Sequence, residues 1–102
     1  MVLKILEKDF QHFVIKILKA KFPEGYILKN DASYVQGIPD IIMLYENKWI
    51  ALEIKRSCKS SKRPNQEYHV NKMNAMSFSR FVYPENFDEV IKEISDFLCE
   101  KV

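Results

Sequence analysis

The segment GIPDIIMLYENKWIALEIK, residues 37–55, constrains the fold of this chain more than any other. Two apolar runs flank the polar residues 46–48, a pattern that predicts a β-hairpin with strands near 40–45 and 49–55. Charged side chains are rarely buried unless they are paired or bind a ligand. Three such side chains interrupt the apolar strands, namely Asp40, Glu53 and Lys55. The segment therefore predicts the centre of a sheet and a polar site upon it.

The register of the hairpin decides whether these three side chains meet. Side chains alternate between the faces of a strand, so Glu53 and Lys55 share one face. A turn centred between residues 46 and 47 sets Asp40 opposite Glu53, and a turn centred between 47 and 48 sets Asp40 opposite Lys55. Both registers place all three side chains on one face, whereas the register between them separates Asp40 from the others.

Two carboxylates at such close range repel each other, and burial adds to the cost of charging both. A divalent cation relieves this repulsion, because Mg²⁺ is a hard ion held by one or two carboxylates together with water and phosphate oxygens. The backbone carbonyl of Ile54 is a candidate further ligand. Lys55 would then orient or deprotonate an attacking water, or stabilise the charge that develops on phosphorus. The pattern predicts a Mg²⁺ or Mn²⁺ site that acts on phosphate esters.

The rest of the chain predicts the order α-β-β-β-α-β-α, a mixed β-sheet flanked by helices, in one domain over residues 1–102. Apolar residues at helix spacing predict a first helix over 3–22. Short strands are predicted over 26–29 and 80–83. This is the α/β (α+β) class.

The two later helices carry further signals. Pro64 suits the first turn of a middle helix that runs to about residue 76. That helix is predicted to bury one stripe, made of Val70, Met73 and Met76. Asn86 and Glu89 are spaced as an N-terminal capping box for the last helix.

The loop between the hairpin and the middle helix, KRSCKSSKR over residues 55–63, holds five cations and no acid. Such a loop predicts contacts to DNA phosphates through Lys59, Lys62 and Arg63. Ser57 is a weaker candidate for a hydrogen bond to phosphate. For each single side chain, a solvated charged loop explains the pattern nearly as well.

Bulk composition excludes several other classes. The net charge of +2 is too small to indicate a nucleic-acid partner by itself. Cys58 and Cys99 lack metal-ligand spacing and make a poor disulfide framework, which is typical of a reducing compartment. The sequence has no apolar run near the roughly 20 residues that span a bilayer, and charges interrupt its N-terminal stretch. A cytoplasmic location is expected, with no membrane partner.

Pro39-Asp40, followed a strand later by Glu53-Ile54-Lys55, resembles the signature of the PD-(D/E)xK nuclease superfamily. The chain is more closely similar to the VRR-NUC family, including its small stand-alone versions found in phages. Gly37 matches the family's G-x-P-D, and Glu7 lies in the first helix, where the family carries an acid. Gln66 opens the helix after the basic loop, as the family glutamine does. The strand over 80–84 and the last helix are also similar.

This resemblance implies a restriction-endonuclease-like fold and Mg²⁺- or Mn²⁺-dependent cleavage of DNA phosphodiesters. Small stand-alone members resemble Holliday-junction resolvases and act as homodimers, so the expected partners are branched or junction DNA and a second copy of the chain. A phage-encoded member would act in the cytoplasm of its bacterial host. The implied roles are metal binding by Asp40, Glu53 and the Ile54 carbonyl with help from Glu7, action on water or the transition state by Lys55, and support of that step by Gln66.

Other interpretations stay open for parts of this pattern. Glu7 could be an acid that favours the helix dipole, and Gln66 an ordinary polar residue of a first helical turn. A non-catalytic DNA-binding or assembly module on the same fold is an alternative, although such a protein is expected to lose Lys55 or a carboxylate. An exonuclease, or a nicking subunit of a larger phage or mobile-element complex, would keep the chemistry and change the substrate.

Overall fold

The structure is a computed structural model that describes residues 5–31 and 33–99. Within these residues, helices and strands follow the predicted order α-β-β-β-α-β-α, which confirms the mixed α+β class. The elements are α1 (Glu7–Lys21), β1 (Tyr26–Lys29), β2 (Ile41–Tyr45), β3 (Lys48–Ile54), α2 (Pro64–Met76), β4 (Phe78–Val82) and α3 (Phe87–Leu98). Leu3 and Lys4, which belong to the predicted first helix, lie outside the described residues.

The four strands form one sheet in the order β1-β2-β3-β4. β1 pairs antiparallel with β2, and β2 pairs antiparallel with β3. β3 and β4 are parallel. Parallel neighbours need a crossover connection, and α2 supplies it. The hairpin therefore lies at the centre of the sheet, as its apolar strands predict.

The hairpin adopts the first of the two predicted registers. Ile41 pairs with Leu52 and Tyr45 pairs with Lys48, so residues 46–47 form the turn. Glu46 takes a left-handed conformation there, with φ of 54°. One position beyond the Ile41–Leu52 pair, this register sets Asp40 opposite Glu53. The predicted convergence of the two acids is confirmed at the level of strand pairing.

One face of the sheet carries the hydrophobic core. Its central side chains are Ile41, Met43, Ile50, Leu52 and Ile54, each at most 1% exposed. They pack with residues of α1 and α3 such as Val14, Leu18 and Ile94. Burying this apolar surface is the main source of stability for such a fold.

The other face of the sheet is covered by α2 over β3 and β4. Val70 of α2 is buried, and Met73 is partly buried. The prediction that Met76 completes this stripe is wrong, because Met76 is 66% exposed at the C-terminal end of the helix. The first turn of α2 lies beside the end of β3 where the charged residues occur, and it contributes Gln66 to the site described below.

Two boundaries near the C-terminal half differ from the prediction. β4 begins at Phe78, two residues before the predicted strand. The Asn86 side chain does not cap α3. It accepts a hydrogen bond from the Tyr83 backbone N–H at 2.9 Å and donates to the Phe81 carbonyl at 3.0 Å. Asn86 thus stabilises the turn that follows β4, and the predicted capping box is wrong.

Cys58 and Cys99 are both exposed free thiols, in line with the expectation that they form no disulfide framework. In the described part of the chain, every helix is too short or too polar to cross a membrane.

Candidate active site

Asp40 is held in place by contacts on both of its sides. From the end of β1, the Asn30 side chain donates to the Pro39 carbonyl at 2.6 Å, and the Asn30 backbone N–H donates to the Asp40 carbonyl at 2.9 Å. The Asp40 carboxylate oxygen Oδ2 accepts the Ile54 backbone N–H at 2.8 Å. Asn30 therefore holds the backbone around Asp40, and the Ile54 N–H holds its carboxylate against β3.

Pro39 ends the regular strand pairing of the hairpin. The register that pairs Ile41 with Leu52 sets Pro39 opposite Ile54, two positions further on. Proline has no backbone N–H, so Pro39 cannot donate to the Ile54 carbonyl. Ile54 is buried and does not line the cavity described below, so the predicted role of its carbonyl as an oxygen ligand stays a prediction.

Glu53 is a buried carboxyl beside a second acid. Its side chain is 4% exposed. Burial raises the pKa of Glu53 from its ordinary 4.5 to about 8, and the nearby Asp40 carboxyl adds to the shift. Lys55 acts in the opposite direction, and Glu7 adds a weaker repulsion. The two carboxyls thus lie close enough to disfavour a second negative charge, as the hairpin geometry predicts.

Gln66 links Glu53 to Lys55. Its oxygen Oε1 accepts a hydrogen bond from the Lys55 ammonium Nζ at 2.8 Å, and its nitrogen Nε2 donates to Glu53 Oε2 at 3.3 Å. The same Oε1 accepts the Arg63 backbone N–H at 3.1 Å, which satisfies an unpaired donor at the start of α2. Gln66 is therefore both a helix-terminus residue and the bridge between the acid and the amine.

These side chains border a cavity of about 220 Å³, which we call the acidic cavity. Its lining comprises Gln36, Gly37, Ile38, Asp40, Glu53, Arg63, Asn65 and Gln66. Gly37 has φ of +82°, and a Cβ there would lie 2.7 Å from Cγ of Asn65. Any other residue at position 37 would be strained and would push against the first turn of α2. The glycine of the G-x-P-D motif thus shapes the cavity wall.

The donors at the acidic cavity fit a divalent cation that prefers oxygen. The lining holds the two carboxylates Asp40 and Glu53, which leaves coordination positions for water and phosphate, as Mg²⁺ requires. Over residues 5–31 and 33–99, no three His, Cys, Asp or Glu side chains are grouped closely enough to hold one metal ion. Glu7 is therefore not a third carboxylate of a compact cluster in the structure.

Glu7 lines a neighbouring cleft, which we call the basic cleft. The other residues of this cleft are Lys55, Arg56, Ser60, Ser61, Arg63 and Gln66. Glu7 is exposed in the first turn of α1, and it acts on Glu53 through its charge. This charge repels that of Glu53, and the predicted part of Glu7 in metal binding stays a prediction.

The predicted DNA-contacting residues of the loop over 55–63 have different surroundings. Arg63 lines both cavities. The Ser57 hydroxyl donates to Glu85 Oε2 at 3.4 Å, away from the cavities. The Lys62 ammonium lies 4.9 Å from the centre of the Phe81 ring. Lys59 is exposed and lines neither cavity.

Sequence reasoning did not single out Arg56, Ser60, Ser61 or Asn65, all of which line a cavity. Asn65 directly precedes Gln66 at the start of α2, and this position is the one sequence feature that could have indicated that Asn65 lines the site. The three loop residues carry no periodic signal, because an irregular loop has no fixed side-chain direction along its sequence.

No protein-family model matches this chain, and no curated protein matches it. The resemblance to VRR-NUC nucleases therefore depends on the motif residues and on the geometry around them.

Proposed function

We propose that this chain is a Mg²⁺- or Mn²⁺-dependent DNA endonuclease with the restriction-endonuclease-like fold of the VRR-NUC family. One observation supports this proposal above the others. Asp40 and Glu53 lie together beside one cavity, with the amine of Lys55 linked to Glu53 through Gln66. Burial and the Asp40 charge raise the pKa of Glu53 to about 8, a cost that a divalent cation would offset.

The proposed roles follow from the contacts of each residue. Asp40, Glu53 and the Ile54 carbonyl would hold the cation, which would neutralise charge on the phosphate and make a water more acidic. Asp40 needs no rearrangement for this, because the Ile54 N–H already fixes its carboxylate. These donors come from β3 and the residue preceding β2, so the rigid sheet sets their spacing.

Lys55 is the proposed group that acts on the water or on the transition state. Its side chain is 8% exposed, and Gln66 orients its ammonium. A lysine fixed in this way can donate a hydrogen bond to a phosphate oxygen as negative charge develops there. Gln66 is a positioning residue in this scheme, since its hydrogen bonds go to Lys55 and Glu53.

Branched DNA, a homodimer and a cytoplasmic location are further parts of the proposal. The described residues measure 42 × 30 × 20 Å and carry one such site. A two-fold dimer would present two sites to two strands, which suits a four-way junction. This part is supported by the resemblance, and it can fail without the hydrolytic chemistry failing.

The decisive experiment is cleavage of labelled four-way junctions, flaps, single strands and linear duplex with Mg²⁺, Mn²⁺ or a chelator. We expect metal-dependent cleavage that falls by roughly 10³-fold in Asp40→Ala and in Lys55→Ala. Exposed residues of the same types provide the matched controls Asp88→Ala and Lys72→Ala, which should keep activity. Circular dichroism should show that all four variants are folded.

Metal-dependent cleavage that persists in Asp40→Ala would overturn the site assignment. Sedimentation of the wild-type chain addresses the assembly. A self-sufficient resolvase should be a dimer alone and prefer junctions, whereas a subunit of a larger complex should be a monomer with weak activity.

A further inference from the structure

The basic cleft is a second cavity, of about 390 Å³, beside the acidic cavity. Arg63 and Gln66 line both, so the two cavities meet across these side chains. A ligand extended over a few ångströms beyond the acidic cavity would enter the basic cleft. The two cavities therefore form one continuous surface with two chemical halves.

The two halves attract opposite charges. The acidic cavity sets Asp40 and Glu53 against the single cation Arg63. The basic cleft sets Lys55, Arg56 and Arg63 against the single acid Glu7. The acidic cavity therefore suits a cation, and the basic cleft suits an anion. A nucleic-acid strand with a metal ion on one phosphate presents a cation and, next to it, a further phosphate anion.

The Lys55 ammonium of the basic cleft donates to Gln66, but other side-chain donors of the cleft are not used inside the protein. In the described part of the chain, the one ion pair joins Arg80 to Glu93. No hydrogen bond among those residues engages the guanidinium groups of Arg56 and Arg63 or the hydroxyls of Ser60 and Ser61. The cleft thus presents two arginines and two hydroxyls that are free to bind an anion.

The wall of the cleft is fixed from its outer side. Glu85 Oε1 accepts the Cys58 backbone N–H at 3.2 Å, and the Ser57 carbonyl accepts the Ser60 N–H at 3.0 Å. Lys62, two residues before the start of α2, lies over the Phe81 ring. The loop therefore holds its shape through contacts that a ligand need not displace, which lowers the entropic cost of binding.

We propose that the basic cleft binds a phosphate group of the nucleic-acid strand next to the phosphodiester held at the acidic cavity. Arg56 and Arg63 are the principal donors, because a planar guanidinium can donate two parallel hydrogen bonds to phosphate oxygens. The hydroxyls of Ser60 and Ser61 are further donors. This inference rests on the proposed function, since that function places the reacting bond at the acidic cavity.

The test measures binding of a fluorescein-labelled DNA duplex by anisotropy, in chelator to prevent cleavage, over a series of KCl concentrations. Arg56→Ala should weaken binding by roughly tenfold and reduce the slope of log K against log salt by about one. Arg56→Lys should recover part of the loss, since it keeps the charge without the planar fork. Lys19→Ala, an exposed cation of α1, is the control of equal charge and should match the wild type.

A second arm separates a strand phosphate from a free anion. Inorganic phosphate, compared with chloride at equal ionic strength, should compete with DNA for the wild type and much less for Arg56→Ala. If phosphate binding depends on Arg56 while DNA binding does not, the cleft holds a free anion and the proposal is wrong.

The remaining outcomes distinguish this inference from the proposed function. Equal binding by Arg56→Ala and Lys19→Ala, with normal metal-dependent cleavage by the wild type, would overturn the cleft assignment alone. Arg56-dependent DNA binding without any cleavage would overturn the nuclease proposal and would support the cleft as a phosphate site. Absence of both DNA binding and metal-dependent cleavage by the wild type would overturn both.

Discussion

The two faces of β3 are buried to a similar degree, but they differ in the chemistry of their side chains and in the residues that they contact. Ile50, Leu52 and Ile54 are at most 1% exposed, whereas Glu53 and Lys55 on the opposite face are 4% and 8% exposed. The apolar face meets side chains of α1 and α3. The charged face meets Gln66 and the neighbouring acid. Burial alone therefore does not identify a core residue in this strand. The side chains that pack against the residue do.

The energetic roles of the two faces are opposite. Removing apolar surface from water stabilises the fold by about 25 cal/mol per Å². Removing a carboxyl from water costs free energy unless it is neutral or paired. The raised pKa of Glu53 shows that this cost falls on the charged form of the residue. One strand thus stabilises the protein on one side and carries a destabilised acid on the other.

The largest effect on stability is expected on the apolar face. Leu52→Ala should lower the free energy of unfolding by about 2–5 kcal/mol, because it leaves a cavity in a region with no access to solvent. Urea denaturation followed by circular dichroism measures this change. A loss below about 1 kcal/mol would mean that the core relaxes around the site, and the contrast between the faces would weaken.

The second prediction concerns the pH dependence of the charged face in metal-free protein. The folded pKa of Glu53 is raised to about 8 from an ordinary 4.5, so between these values the folded state keeps a proton that the unfolded state has lost. Stability should therefore fall as pH rises across this window and level off above it. Glu53→Gln should remove that fall, so its advantage over the wild type should grow from pH 4.5 to 8.

Thermal melts at several pH values check this, with the exposed Glu67→Gln as the control. Adding Mg²⁺ or Mn²⁺ sharpens the result, since a ligand that binds only the folded state raises stability. The metal should stabilise the wild type near pH 8 and have little effect on Glu53→Gln. If Glu53→Gln loses stability with rising pH as the wild type does, another group causes the pH dependence.

The smallest effect is expected at Gln66, where the two roles of one side chain can be separated. Gln66→Ala should cost about 1 kcal/mol, because the Arg63 N–H loses its acceptor at the start of α2. Gln66→Glu keeps that acceptor and replaces the donor to Glu53 with a third acid. We expect Gln66→Glu to melt closer to the wild type than Gln66→Ala does at low pH, and to lose stability as pH rises.

Chemical denaturation at two pH values distinguishes these cases. If both variants lose the same free energy of unfolding at both pH values, the contact between Gln66 and Glu53 does not contribute to stability.

The fold could be predicted to a large extent because its signals are periodic. The alternation around residues 40–55 gave the hairpin, and it limited Asp40 to two useful registers. The choice between these registers depended on which residues form the turn, and residues 46–47 do so. In this register, the same alternation sets Asp40, Glu53 and Lys55 on one face.

The wrong predictions, for Met76 and Asn86, concern side chains whose surroundings residue type and spacing do not determine. Met76 has the correct helical spacing but is the last residue of α2 and is 66% exposed. Asn86 has a cap-forming residue type, yet Phe81 and Tyr83 offer it backbone partners in the preceding turn. The DNA contacts of the loop cations stay a prediction, and the sequence does not distinguish the surroundings of these side chains. Lys62 lies on an aromatic ring of β4 and Arg56 lines a cleft, a difference that their similar charge conceals.

The hydrogen bond from the Ile54 backbone to Asp40 has a consequence for binding speed and selectivity. A carboxylate that rotates freely can adapt its position to ions of several radii, whereas one anchored to a strand offers a fixed oxygen-to-oxygen spacing. Its rotamer is set when the chain folds, so a cation bound as proposed would meet a carboxylate that is already oriented. Such a cation, if it had the wrong size, would have to distort a β-strand to be accepted.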